Sequence, residues 1–154
     1  MPDLEKQLQE GQQNKTYNDF PSDEHYYDRY MASKRWLGQN ILKYTGIKVA
    51  YDGEGFYTDH SINHCEAIIK TANKFLDYVH MSPLKPYEIY LFLISTLIHD
   101  AGMVHGRKDH GANCRKVGQD MCNMLPDNAI ERKSIYNIAS AHQGRPLFGS
   151  EDTI

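Results

Sequence analysis

The sequence predicts a single all-α domain, and three observations carry that expectation. Apolar residues recur at three- and four-residue steps through 58–80, 109–125 and 127–142, the spacing of one buried helix face. The most apolar stretch, 86–100, is long for a buried strand and suits a helix buried nearly all round. Capping residues and chain breakers fall at the ends of these segments, with Ser22, Thr58 or Asp59, and Asp127 at the starts and Ser82-Pro83, Gly102, Gly144 and Pro146 at the ends. With 154 residues the chain is long enough for one real core, and it contains no internal repeat. The expected architecture is a compact bundle of about five to six helices.

Residues 1–22 are rich in Gln, Asn and Asp and nearly free of apolar periodicity, so they are expected to form a mobile polar arm with at most one short helix. The folded domain is expected over 23–154. Its first helix should run from Ser22 to about Tyr44 and bury Tyr27, Tyr30, Met31, Trp36, Leu37 and Ile41. Residues 45–57 carry three glycines and read as a loop. The 58–80 helix should turn Ala67, Ile68, Ala72, Phe75, Leu76 and Val79 inward. The 86–100 helix starts with Pro86 in its first turn and stops at Gly102. The 109–125 helix should bury Ala112, Val117, Met121, Met124 and Leu125. The last should bury Ile130, Ile135, Ile138 and Ala139 and reach His142.

Composition narrows the function. A net charge of −3 gives no global basic field, which argues against general nucleic-acid binding without excluding nucleic acid as a ligand. The longest apolar stretch is interrupted and closes on His99-Asp100, short of a membrane span. The N-terminus is polar and lacks the apolar core of a signal peptide, so a cytoplasmic location is expected. Three cysteines without CxxC spacing read as reduced thiols.

The eight histidines carry the chemistry, crowded between His60 and His110. A core segment that closes on His99-Asp100 brings an imidazole and a carboxylate to the edge of an apolar interior, where an unpaired charge is costly. A divalent ion is the natural compensation. His64, His110 and His142 also stand near helix ends, where several helices can meet. Imidazole with carboxylate suits Mn, Fe, Co, Ni or Zn. Adjacent helical side chains point about 100° apart. His99 and Asp100 therefore reach one ion only if the last turn opens, or if Asp100 bridges towards a second ion.

His64-Cys-Glu-Ala-Ile68 and Leu97-Ile-His-Asp-Ala-Gly102 resemble the opening motifs of the HD superfamily of metal-dependent phosphohydrolases. In that family the first His stands four residues before a branched apolar residue, which selects His64 over His60. Tyr57-Thr-Asp-His-Ser-Ile-Asn-His64 resembles the HD-CE variant found beside nucleotide-binding or chaperone-type ATPase modules, and HD domains of CRISPR-associated nucleases. His110-Gly-Ala and Ile138-Ala-Ser-Ala-His142-Gln resemble the extra histidines of two-metal HD-GYP proteins, with Gln143 where a second His often stands. The resemblance spans about 57–145. The family's final Asp has no helical counterpart, since only Asp152 follows. The domain would then be shortened at its C-terminus, completed by a partner, or left with an incomplete metal set.

The resemblance implies one or two divalent ions held by His64, His99, Asp100, His110 and His142. It implies hydrolysis of a phosphomonoester or phosphodiester, most naturally of a nucleotide, by water activated on the metal. Asp100, His110 and His142 would serve catalysis. Arg107, Lys108, Arg145 and His60 would contact substrate. The implied partners are a phosphorylated small molecule or nucleotide and a larger ATPase or the rest of a longer parent chain. Three other readings stay open: a non-catalytic nucleotide-binding or regulatory HD module, a di-iron HD oxygenase, and a purely structural helical domain.

Overall fold

The computed structural model describes residues 3–14, 20–45, 59–79, 84–106 and 109–143. Among these residues six α-helices run in order: α1 (Leu4–Gln13), α2 (Tyr26–Asn40), α3 (Ile62–Tyr78), α4 (Pro86–Ile98), α5 (His110–Asp120) and α6 (Ala129–Ala141). Short 3-10 turns cover Leu42–Tyr44, Ala101–His105 and Cys122–Met124, and no strand occurs among the described residues. The all-α expectation holds.

α4 is the central element because it is apolar on every side. Ile89, Tyr90, Leu93, Ile94, Leu97 and Ile98 are all buried, and α1, α2, α3, α5 and α6 pack against the helix. Pro86 occupies its first turn, where a missing N–H costs nothing. Glu88 Oε2 accepts the Lys85 backbone N–H at 2.7 Å and closes the helix start.

Two expectations need correction. The segment expected to be a mobile arm with at most one short helix does contain one, α1, but it is docked, with Leu4 and Leu8 buried in the core. Gly11 crosses α4 so closely that a Cβ there would lie 2.6 Å from the Pro86 ring. The expected inward faces are also partly rotated. Phe75, Ile130 and Ile138 are exposed, as is Ala67, whereas Cys65 and Ile69 of α3 and Glu131 and Tyr136 of α6 are buried. Asn128, not Asp127, caps α6, and Ser61 caps α3 while Asp59 accepts the Ser61 N–H. Ser22 is not the cap of α2, which begins at Tyr26; its hydroxyl bonds that of Tyr26.

The outer elements are tied together by polar contacts. Tyr26 and Tyr87 both donate to Glu131 Oε2, at 2.9 and 3.1 Å, which joins α2, α4 and α6. Lys34 pairs with Glu5 at 2.8 Å and Glu66 at 3.3 Å, which joins α2 to α1 and α3. Among the described residues no single helix is long and apolar enough to cross a membrane.

Candidate metal centre

α4 ends at Ile98, and the chain immediately changes geometry. His99 keeps helical angles, but Asp100 shifts to φ −104°, ψ −1°, and Ala101–His105 continues as a 3-10 turn. The chain therefore leaves the α-helix at the doublet and tightens into the 3-10 turn, with the Met103 N–H donating to the Asp100 carbonyl at 3.0 Å. The Cys114 thiol donates towards the backbone oxygens of Ile98 and His99, at 2.8 and 3.1 Å, and so caps carbonyls that the helix end releases.

Gly102 brings the next element in. A Cβ at this position would lie 2.0 Å from the His110 carbonyl oxygen and 2.8 Å from the Cys114 nitrogen. Backbone cannot yield to that contact, so only glycine lets the turn rest on the start of α5. Its expected role as a helix stop is thus joined by a second one. Asp109 adopts left-handed angles (φ 59°), which acidic residues tolerate better than most, and α5 begins at His110.

These elements place five imidazoles around one carboxylate that is 3 % exposed. Asp100 Oδ2 faces His60 Nδ1 at 2.6 Å, His99 Nε2 at 2.9 Å and His64 Nε2 at 3.7 Å. Asp100 Oδ1 faces His110 Nε2 at 3.1 Å and His142 Nε2 at 3.3 Å. Among the described residues two groups of three could each hold an ion, His60-His64-Asp100 and Asp100-His110-His142, and Asp100 belongs to both. The expected ligands His64, His99, Asp100, His110 and His142 are all brought together.

His60, expected at substrate, lies nearer Asp100 than His64 does. Sequence spacing misses this because His60 precedes α3 and is placed by a different contact. Thr45 Oγ1 donates to the His60 carbonyl at 2.6 Å, and the His60 N–H donates to the Thr45 carbonyl at 3.2 Å. Arg107, Lys108 and Arg145, also expected at substrate, lie outside the described residues, as does Asp152.

The hydrogen bonds of the rings identify metal-ready nitrogens. His99 Nδ1 donates to the Thr96 carbonyl at 2.7 Å, and His142 Nδ1 donates to the Ala139 carbonyl at 2.6 Å. A neutral ring that spends its N–H this way presents an Nε2 lone pair, the usual arrangement of a metal-binding histidine. Both lone pairs converge on the Asp100 carboxylate. Such an assembly of acceptors needs a cation between them, either protons or a metal, and the mixed imidazole and carboxylate donors fit a borderline divalent ion.

With protons in place of a metal, the rings donate to the carboxylate and each side stabilises the other's charge. Burial alone would raise the Asp100 carboxyl, but hydrogen bonds from His142, His99 and His60 hold it well below the usual carboxylate range. The bond to Asp100 raises His142, with burial opposing, whereas burial and then the neighbouring His99 lower His64. A pocket of about 510 Å³ opens above the cluster, between α3, α4 and α6. Beyond the His/Asp groups its wall is formed by Ile68, Phe92, Ile138 and Ala139, with Ser95 and Thr96 between them.

A model of the HD-CE family matches residues 54–152, a span that contains every member of the cluster. No curated protein and no solved structure matches the chain.

Proposed function

Because the chain belongs to the HD-CE family, an HD-type domain, we propose that it is a metal-dependent phosphohydrolase acting on a phosphomonoester or phosphodiester, most naturally of a nucleotide. One observation carries the reading: each oxygen of the buried Asp100 carboxylate faces its own set of imidazoles. That is the arrangement a bridging carboxylate needs to hold two ions.

A divalent ion bound there would supply Lewis acidity, lowering the pKa of water and polarising a phosphoryl oxygen. Asp100, His64, His99 and His142 would hold and orient it. His60 would complete the side at Oδ2. His110, beside Oδ1, would either join a second ion or donate a hydrogen bond to the substrate. The apolar wall of Ile68, Phe92 and Ile138 supports a substrate whose phosphate carries an organic group, with the phosphate at the histidine end. Arg107, Lys108 and Arg145 would neutralise phosphate charge. The same reading assigns the protein to the cytoplasm, in the service of a larger ATPase or the rest of a longer chain.

The test is metal analysis of the purified protein, followed by assays of p-nitrophenyl phosphate and bis-p-nitrophenyl phosphate with Mn, Fe, Co, Ni and Zn. We expect one or two bound ions per chain and metal-dependent turnover of at least one ester. A protein that takes up none of these metals and cleaves neither ester is not this enzyme.

A further inference from the structure

His110 differs from the other histidines in what holds its second nitrogen. Its Nδ1 lies 2.7 Å from Gln143 Nε2, the amide nitrogen of a side chain that follows α6. The orientation of that amide is set independently. Gln143 Oε1 accepts the Gly111 backbone N–H at 3.0 Å, and a backbone N–H can only donate. The Gln143 oxygen is therefore committed to Gly111, and its NH₂ group must face the imidazole. Gly111 is what allows the amide in, because a Cβ there would lie 2.6 Å from Gln143 Oε1.

An NH₂ group can only donate, so Nδ1 of neutral His110 must accept and Nε2 must carry the hydrogen. This is opposite to His99 and His142, whose Nδ1–H groups point at carbonyl oxygens and leave Nε2 bare. The surroundings of His110 Nε2 accommodate a donor. Asp100 Oδ1 lies 3.1 Å away and can accept, and His142 Nε2 lies 2.8 Å away and can accept while no ion holds its lone pair; the Gln143 amide nitrogen is 3.3 Å from Nε2, a longer approach than its 2.7 Å to Nδ1.

We propose that Gln143 is a positioning residue that locks His110 as an Nε2–H donor, so that His110 presents a hydrogen bond to a phosphoryl or leaving oxygen instead of a lone pair to a metal. The inference rests on the hydrolase reading for its purpose, but not for its geometry. It divides the cluster into ligands, with Asp100, His99 and His142 among them, and one imidazole that touches the substrate.

The test is ¹⁵N NMR of the histidine side chains in the full chain, metal-free and loaded with diamagnetic Zn²⁺. His110 should be the Nε2–H tautomer in both states, and His99 and His142 the Nδ1–H tautomer. Gln143→Glu replaces the NH₂ with an acceptor and should switch His110 to Nδ1–H. His110→Ala should bind the same number of Zn²⁺ ions as the unaltered protein, with affinity changed by less than about threefold, well under the tenfold or greater loss typical when a supporting contact of a metal site is removed. His110 found as Nδ1–H, or an ion lost in His110→Ala, would overturn the proposal. Failure of the hydrolase reading would look different: no Zn²⁺ uptake by the unaltered protein, with the tautomer still measurable in its metal-free state.

Discussion

At the scale of single residues, Asp100 decides the site. It is the one carboxylate within reach of all five imidazoles among the described residues, and its two oxygens face different sets. Asp100→Asn keeps the shape and removes the charge. It should cost metal affinity by at least about a hundredfold at both positions, since lost ligation and lost charge add. Equilibrium dialysis should show no tightly bound ion, whereas His64→Ala or His142→Ala should weaken one group and spare the other. Full metal content in the Asp100→Asn protein would remove the bridging role. The doublet and His64 are legible in sequence because they sit at the end of an apolar run and at motif spacing. His60 is not, because its place depends on Thr45, fifteen residues away. The cysteines give a second prediction. Burial pushes the Cys65 and Cys114 thiols up to about 12. Their folded values lie above the ordinary thiol value, so the stability they contribute is present below about pH 9 and is lost as pH rises towards 12. At about pH 8, below the ordinary thiol value, neither should react with a thiol-specific disulfide reagent until the protein is unfolded. Reaction of either in the native protein at the rate of a free thiol would contradict that burial.

At the scale of elements, sequence locates the helices and misjudges several of their faces. α3 is the clearest case. Its inward stripe runs through buried Cys65 and Ile69 and half-buried Ala72 and Leu76, while Phe75 is 58 % exposed and Tyr78 83 % exposed. The pattern contains more apolar positions than one neighbouring helix can cover, and a cysteine carries weight in the core that the aliphatic spacing does not show. In α6 the same ambiguity puts Ile130 and Ile138 outside and Tyr136 inside, where Tyr136 packs so tightly on α5 that a Cβ at Gly118 would meet its hydroxyl at 2.1 Å. The contact between the turn after α2 and the start of α3 has a functional consequence. Thr45 is 3 % exposed, and its hydroxyl holds the His60 backbone in place beside Asp100. Thr45→Val preserves the shape and deletes that bond. It should weaken metal binding at the His60-His64 side by about tenfold, the lower end of what supporting contacts of metal ligands contribute. Thr45→Ser should restore most of it. Calorimetric titration with Mn²⁺ or Zn²⁺ separates the outcomes, and unchanged affinity in the Thr45→Val protein would show that His60 needs no such anchor.

At the scale of the whole molecule, the least legible feature is α1. Leu4 and Leu8 are its only strongly apolar residues, a pair one turn apart within a Gln-rich segment, and two leucines make too faint a periodicity to mark a core helix. Tertiary partners supply what local pattern lacks. Asp3 caps the helix, the Leu4 N–H donates to Asn73 at 3.1 Å, and Gln12 accepts the Tyr27 N–H at 2.7 Å. Tyr30 donates to Glu5, so α1 is fastened to α2 and α3 while it packs on α4. The expectation of an arm and the observed helix differ in an outcome that can be measured. For an arm, Leu8→Ala would leave stability within about 0.5 kcal/mol, the range of ordinary surface substitutions. For a helix whose Leu8 is fully buried, it should cost about 2–5 kcal/mol, because the cavity adds to the lost transfer energy. Urea denaturation of the metal-loaded protein gives the difference. The His/Asp cluster lies at the far end of α4 from Pro86, where α1 crosses, so the Leu8→Ala protein should keep its full metal content while folded. A large stability loss with unchanged metal stoichiometry would make α1 part of the bundle's foundation and separate it from the site. Loss of metal along with stability would instead mean that α4 transmits strain along its length from Pro86 to Asp100.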